Sequence, residues 1–261
     1  MIKVLGRKQR ITNDDWLDAV KRIEELVPRK ELDELVKKTV ASIKKMARSK
    51  KAAYGWSGGK DSIVLSDICN KAGIKDCMFA HTNLEYPAFL KWCLDNKPER
   101  CEVINTGQDI FWLAKHPDMV FPHKEKLARW YSIVQHRALT QYFFQHQLDI
   151  ILVGRRKADG NFVGKDNILK KKSGECIFAP LADWPHEMIL AYIHYHKLAL
   201  PPLYEWENGY RCGTHPWPSR MYMDTLEQGY REVYAIDPSI VKEAAEHIDS
   251  ARHFLKEVSG A

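Results

Sequence analysis

No apolar run in the 261 residues approaches the roughly 20 needed to cross a bilayer. The first ten residues, MIKVLGRKQR, contain no apolar stretch of the kind that directs secretion. These two absences set the expectation of a cytoplasmic protein with no membrane partner. Cysteine is sparse: Cys69, Cys77, Cys93, Cys101, Cys176 and Cys212. In that compartment they read as reduced thiols rather than a disulfide framework. The chain also lacks an internal repeat and the biased composition of disordered, collagenous or coiled-coil proteins. A strong excess of one charge is missing too. The net charge of +6 favours anionic ligands but is too mild to establish nucleic-acid binding.

What is present is an alternation of short apolar runs with helical patterns. Residues 12 to 50 read as helical, capped by Thr12 to Asp15, with Trp16, Val20, Ile23 and Val27 at helical spacing and a break at Pro28. Their basic end (Lys44, Lys45, Arg48, Lys50, Lys51) reads first as a solvated helix terminus. After it come a strand at AAYGW, a helix over 60–72, a strand at CMFAHT, a helix over 87–95 and a strand at CEVIN. A long helix over 130–147 and a strand at DIILVG complete the series. Such an order predicts right-handed crossovers and an α/β fold: a parallel twisted sheet with helices on both faces. Beyond Gly160 the pattern predicts a hairpin turning at Lys172, Ser173 and Gly174. A helix over 185–196 capped by Asp183 follows, then an irregular stretch over 197–223 and a closing helix over 239–258. The expected organisation is an N-terminal helical segment (1–50), an α/β domain (51–200) and an irregular segment with the closing helix (201–261). The N-terminal helices could dimerise, dock a partner or simply cover the sheet.

Ligands in parallel sheets sit at the carboxyl ends of the strands, and polar residues gather there. In SGGKDS, Ser57 to Ser62, Gly58 and Gly59 let the backbone turn tightly and aim N–H groups into one concavity. The helix that follows adds the positive end of its dipole, Lys60 a mobile cation, and Ser57 and Ser62 hydroxyls. This is not a Walker A loop: Tyr54 stands where the earlier glycine belongs, and Asp61 where Ser or Thr follows the lysine. A carboxylate beside a polyphosphate needs an offset, so Asp61 is expected to cap the helix or position Mg²⁺. After the second strand come His81, Thr82 and Asn83. After the fourth come Gly154, Arg155 and Arg156, with Lys157 a weaker candidate. Guanidinium forks suit phosphates or an anionic acceptor.

SGGKDS matches the signature of the PP-loop ATP pyrophosphatases, or adenine nucleotide α-hydrolases. Within that superfamily the chain most resembles the phosphoadenosine-phosphosulfate (PAPS) reductase-like family, over roughly 50–218. HTNLEYP (81–87) is similar to its DTGLEFP-type segment, GRRKADG (154–160) to its basic loop, and 178–211 to its tail with D-W, L-P, P-L-Y and G-Y. The resemblance implies ATP as ligand and cleavage between the α and β phosphates. An acceptor would be adenylated, with Lys60 and Asp61 as the catalytic residues and Mg²⁺ neutralising the rest. It also places His81, Thr82 and Asn83 against the nucleotide, although His-Thr-Asn here replaces Asp-Thr-Gly. His81 reads equally as a buried strand-end histidine.

Two departures matter. The reductases use a cysteine in a C-terminal Glu-Cys-Gly-Leu-His-type motif, and AAEHIDSARHFLKEVSGA contains none, so reduction by that route is not expected. Relatives often carry Gly-Cys-x-x-Cys-Pro where this chain has Cys212-Gly-Thr-His215-Pro216. Cys212 and His215 form half a zinc or iron–sulfur site that Cys176 could join. Cys212 could instead carry sulfur, or be a buried thiol. The leading expectation is an ATP-dependent adenylating enzyme, as a step of sulfur or amine transfer. The alternatives are a nucleic-acid-modifying component with one basic track through 44–51, 155–157 and 170–172, a nucleotide sensor without turnover, a flavin adenylyltransferase, and a sulfonucleotide-binding reductase relative without its cysteine.

Overall fold

The computed structural model describes residues 5–6, 10–122, 124–220 and 223–259. Most of the opening decapeptide therefore lies outside the described residues, as do two residues of the irregular stretch and the last two of the chain. Along the chain run α1 (Asn13–Lys21), α2 (Ile23–Leu26), α3 (Arg29–Ala47), β1 (Ala52–Gly55), α4 (Lys60–Ala72) and β2 (Cys77–His81). Then come α5 (Pro87–Asn96), β3 (Cys101–Asn105), α6 (Ile110–Ala114), α7 (Lys124–Tyr131), α8 (Arg137–Gln145) and β4 (Ile150–Leu152). The rest comprises β5 (Ile168–Lys170), β6 (Cys176–Phe178), α9 (His186–His196), α10 (Gly209–Cys212), α11 (Leu226–Ile236), α12 (Pro238–His247) and α13 (Asp249–Ser259).

The strands form one sheet in the order β3-β2-β1-β4-β6-β5. β1 lies parallel to β2 (Tyr54 opposite Cys77) and to β4 (Ala52 opposite Ile150). β6 lies parallel to β4, and β5 returns antiparallel with Lys170 opposite Cys176. This is an α/β fold with a mostly parallel sheet, as expected. The short strands are fully buried where both faces are covered: Ile150, Ile151 and Leu152 are at most 1% exposed.

The chain folds as two compact units, neither continuous in sequence. Unit 1 comprises Met1–Phe79, Asn96–Val103 and Leu139–Pro201; unit 2 comprises Ala80–Asp95, Ile104–Ala138 and Pro202–Ala261. In unit 1, α3, α4 and α9 pack on one another, and α1 and α2 lie against α9. Trp16, Leu32 and Ile43 of the N-terminal helices are fully buried there. Unit 2 is built on aromatics: Phe121 meets Trp217 and Tyr230 edge-on, and Tyr230 stacks on Phe254. Gly229 makes that core close, since a Cβ there would lie 2.5 Å from the Phe121 ring.

Several boundaries differ from expectation. The long helix starts earlier, at Lys124, and is interrupted by one π-helical stretch, Ser132–His136. The closing helix is two helices, because Ile248 adopts an extended conformation (φ −124°, ψ 120°) and buries its side chain. Asp183 does not cap α9, whose N-cap is Pro185. Its carboxylate accepts instead from Lys157 (2.6 Å) and Asn167 (2.8 Å), which hold it below the usual carboxylate range.

Candidate functional site

The turn from β1 into α4 sets the geometry. Gly58 sits at φ +67°, where a side chain would be strained, and Gly59 is the N-cap at φ −81°, ψ 153°. Two serines lock the turn. Ser62 Oγ donates to the Gly59 carbonyl (2.9 Å) and accepts from the Ser57 amide (3.0 Å), while the Ser57 hydroxyl lies 3.2 Å away. The helix's own ladder begins with Ile63 N–H donating to the Gly59 carbonyl at 2.9 Å. The amides of Lys60, Asp61 and Ser62 lie ahead of that bond, at the positive end of the dipole.

Lys60 is 5% exposed, yet carries a charge. Its ammonium donates to Asp61 Oδ2 (2.7 Å) and lies 5.1 Å from the centre of the Trp16 indole. Asp61 Oδ1 accepts from Arg156 Nε, also at 2.7 Å. Arg156 is wholly buried and fully employed. It donates to the Trp184 carbonyl (3.2 Å) and to Asp159 (3.1 Å), and lies 3.1 Å from His186 Nδ1. Trp16 meets His186 edge-on at 4.6 Å. Gly154 lets β4 end against this turn, since a Cβ there would lie 3.2 Å from the Asp61 backbone carbon.

The offset to Asp61 is therefore neither a helix cap nor a metal. Each carboxylate oxygen is taken by one cation, Lys60 or Arg156. With both oxygens so engaged, Asp61 is poorly suited to ligate Mg²⁺. Arg156, expected at the ligand, lies beneath the loop and steadies it. Arg155 is only part-buried, and burial lowers its pKa from the usual arginine range.

In unit 2, the His81–Asn83 segment is organised around Glu85. Thr82, fully buried, gives its amide (3.0 and 2.9 Å) and its hydroxyl (2.7 Å) to the Glu85 carboxylate. Its hydroxyl also accepts from the Leu84 amide (2.9 Å), so Thr82 faces inward rather than toward a base or ribose. Burial pushes the Glu85 carboxyl up to about 7, against these bonds, which favour the ionised form. His81 is buried, with Nδ1 2.6 Å from the Thr82 carbonyl. Asn83 is exposed and braced: its amide donates to the Gln108 carbonyl (2.8 Å) and its Oδ1 accepts from Asn105 (2.6 Å). Of the three, Asn83 alone presents an exposed side chain.

Cys212 and His215 do not converge on a metal. The buried Cys212 thiol points to Glu232 (3.9 Å), and His215 Nε2 lies 3.4 Å from the Tyr131 hydroxyl. Among the described residues, no group of three or more His, Cys, Asp or Glu side chains is arranged to hold a metal ion. The donor set does not fit zinc or an iron–sulfur centre. Around the glycine turn, Trp16, Asp159 and His186 are the neighbours that pattern reading missed. In unit 2 it missed Glu85, which lay within a recognised segment, whereas Trp16 reads only as a helical core position.

Comparison with known proteins bears on the fold and the family. A phosphoadenylyl-sulfate (PAPS) reductase from Candida auris, solved as a phosphate complex, superposes with a TM-score of 0.50 at 16% identity. The match covers 69% of this chain and 92% of that one. An NMN synthetase from Francisella tularensis gives 0.46 at 15% identity, over 64% of this chain and 71% of that one. An NH3-dependent NAD synthetase from Campylobacter jejuni gives 0.45 at 13% identity, over 85% and 95%. No curated protein matches at a significant level. The model of the phosphoadenosine phosphosulfate reductase domain matches residues 51–216, which include the glycine turn, the Thr82–Glu85 segment and the Arg155–Arg156 loop, and the chain belongs to that family.

Proposed function

We propose that the protein binds ATP with its triphosphate over residues 57–62 and cleaves it between the α and β phosphates, transferring AMP to an acceptor. The observation that carries this reading is the Ser57–Ser62 turn with Lys60 and Asp61 pinned at its helix end. A lysine held by a neighbouring carboxylate and an indole face is placed before substrate arrives, so little reorganisation accompanies the reaction. A nucleophilic oxygen or nitrogen of the acceptor forms the new bond to the α-phosphorus. The bridging P–O bond breaks, its electron pair leaves with pyrophosphate, and the acceptor's proton passes to solvent. Lys60 and the first-turn amides stabilise the charge that grows on the departing pyrophosphate. Arg155 holds an anionic group of the nucleotide or acceptor, and Asp61 and Arg156 fix Lys60 rather than touch a metal.

The test is product analysis with α-³²P-ATP and Mg²⁺, comparing wild type with Lys60→Ala and Lys60→Arg. The nucleic acids, FMN and small nucleophiles are supplied in turn as acceptors. Labelled AMP or an AMP adduct with pyrophosphate is expected, about 10²-fold slower in Lys60→Ala, the usual cost of one such donor. Lys60→Arg keeps the charge and serves as the folding control. ADP and phosphate as products would overturn the reading. Sulfite release from PAPS with a thiol reductant, without ATP cleavage, would replace it with reduction.

A further inference from the structure

Strand register decides where the basic segments of unit 1 lie. Ala52 opens β1 opposite Ile150, the first residue of β4, and Tyr54 faces Cys77, the first of β2. Lys51 and Lys75 therefore lie at the amino ends of these strands, opposite the end that carries the glycine turn. β5 runs against β6 with Lys170 opposite Cys176, so the turn at Lys171 and Lys172 is on this edge as well. Arg100, just before β3, joins them, its carbonyl accepting from the Cys77 amide at 3.2 Å. The basic residues 155–157 follow β4 at the other end. The expected single track through 44–51, 155–157 and 170–172 is divided, and its first and last members share one edge.

That edge is concave at its middle. A cleft of about 300 Å³ is lined by Lys44, Lys50, Lys75, Arg100 and Asp76, over a floor of small residues that includes Ala72 and Gly73. Asp76 is already paired with Arg100 at 2.6 Å. Lys44, Lys50 and Lys75 are exposed, and none has a carboxylate partner among the described residues. Beyond the cleft, Asp149 accepts the Lys51 amide (2.7 Å), and the fully buried Glu175 takes Ser173 and Thr140 and pairs with Lys171 (3.6 Å), which leaves Lys172 as the turn's lysine without a carboxylate partner among the described residues. Asp149 and Glu99 are exposed carboxylates on this edge. Lys44 and Lys45 complement the carboxyl end of the α3 dipole. That account does not extend to Lys50, Lys75 or the Lys171–Lys172 turn, which lie outside helices.

We propose that this edge docks the phosphodiester backbone of a nucleic acid strand, with the cleft seating one or two phosphates and the flanking lysines following the chain. Lys50 and Lys75, offset by neither a helix end nor a carboxylate among the described residues, match phosphate charge in a shallow cleft, with Lys44 beside them. Six strands at about 4.8 Å spacing make the row about 24 Å long, the axial length of roughly seven phosphates in a helically stacked strand and more than a mononucleotide occupies. The proposal does not depend on the ATP reading, because the cleft shares no residue with the glycine turn.

The experiment measures fluorescence anisotropy of labelled 20-nucleotide single-stranded DNA and RNA as a function of salt. Wild type is compared with Lys44→Glu/Lys50→Glu/Lys75→Glu and with Lys115→Glu/Lys242→Glu/Lys256→Glu, a control of equal charge change on exposed positions of unit 2. The cleft variant is expected to bind at least 10-fold more weakly at low salt, with a log–log salt slope shallower by about 2, as loss of three phosphate contacts on a single strand requires. The control is expected within 3-fold of wild type. ATP cleavage without nucleic acid is expected unchanged in both, so failure here is distinct from failure of the proposed reaction. An alanine triple at the same cleft positions, verified by thermal melting, repeats the test without charge reversal. Equal weakening of cleft and control variants would overturn the proposal, as would wild type failing to bind either strand at low salt. Competition by inorganic polyphosphate at equal phosphate concentration, as effective as nucleic acid, would also overturn it.

Discussion

The Lys60 side chain has only 5% of its surface exposed, so its ammonium depends on protein partners rather than water. The Asp61 carboxylate supplies one counter-surface and the Trp16 face the other. A cation over a desolvated indole gains about 2 kcal/mol or more, enough to bias where the ammonium rests. Trp16→Phe keeps an aromatic face; Trp16→Leu removes it. Turnover of folded protein is expected to fall several-fold to 10-fold in Trp16→Leu, with a small change in the ATP KM and partial recovery in Trp16→Phe. Steady-state kinetics corrected for the folded fraction make the measurement. Equal losses in both variants would mean that Trp16 serves packing alone. At this scale the sequence was only partly legible. The Ser57–Ser62 turn was readable because a tight turn demands glycine, as Gly58 at φ +67° bears out. Arg156 was not, since spacing cannot distinguish a guanidinium aimed at ligand from one buried among Asp61, Asp159 and His186. Thr82 was misread similarly, because its partner Glu85 lies three residues on and turns it inward.

Gly154 shows how one element positions another. The end of β4 approaches the first turn of α4 so closely that a Cβ would stand 3.2 to 3.4 Å from the backbone and Cβ of Asp61. Backbone yields less readily than a flexible side-chain tip, so Gly154→Ala displaces the turn by a few tenths of an ångström. Stability is expected to drop by about 1 kcal/mol or less, while turnover falls roughly 10-fold, because positioning errors well under 1 Å already cost rate. Urea melts beside ATP-cleavage rates separate the two; a variant with unchanged turnover would show that the approach serves packing only. Element order was legible because each strand is a short apolar run between helices, and α4 spans its expected range, 60–72, ended by Gly73 at φ +90°. Element ends were less so. α11 went unread although Thr225 and Gln228 carry the cap pattern, with the Gln228 amide donating to Thr225 Oγ1 at 3.1 Å. The break at Ile248 has no glycine or proline to announce it: burial of the isoleucine side chain accompanies the bend.

For the whole molecule, the family match and the folded unit do not coincide. The match begins at residue 51, whereas unit 1 draws on the helices before it. Sequence periodicity predicted those helices but left open whether they dock a partner, dimerise or cover the sheet. Burial favours the last: Trp16, Ile23, Leu26, Val27, Leu32 and Ile43 are each at most 2% exposed. Side chains of this kind contribute about 1.5–3 kcal/mol apiece on burial. Six of them therefore supply about 9–18 kcal/mol before ordering costs, comparable with the whole stability of a typical domain, roughly 5–15 kcal/mol. The same segment sets Trp16 beside Lys60 and places Lys44 in the basic cleft at the other end of the sheet. A fragment of residues 51–261 is accordingly expected to lose its cooperative thermal transition and to bind a hydrophobic dye, while the full chain melts sharply. Circular dichroism and dye fluorescence on the two proteins decide the matter. A sharp melt from the fragment would make the N-terminal helices a detachable docking element, and the contacts of Trp16 with Lys60 and His186 would then be incidental to the fold.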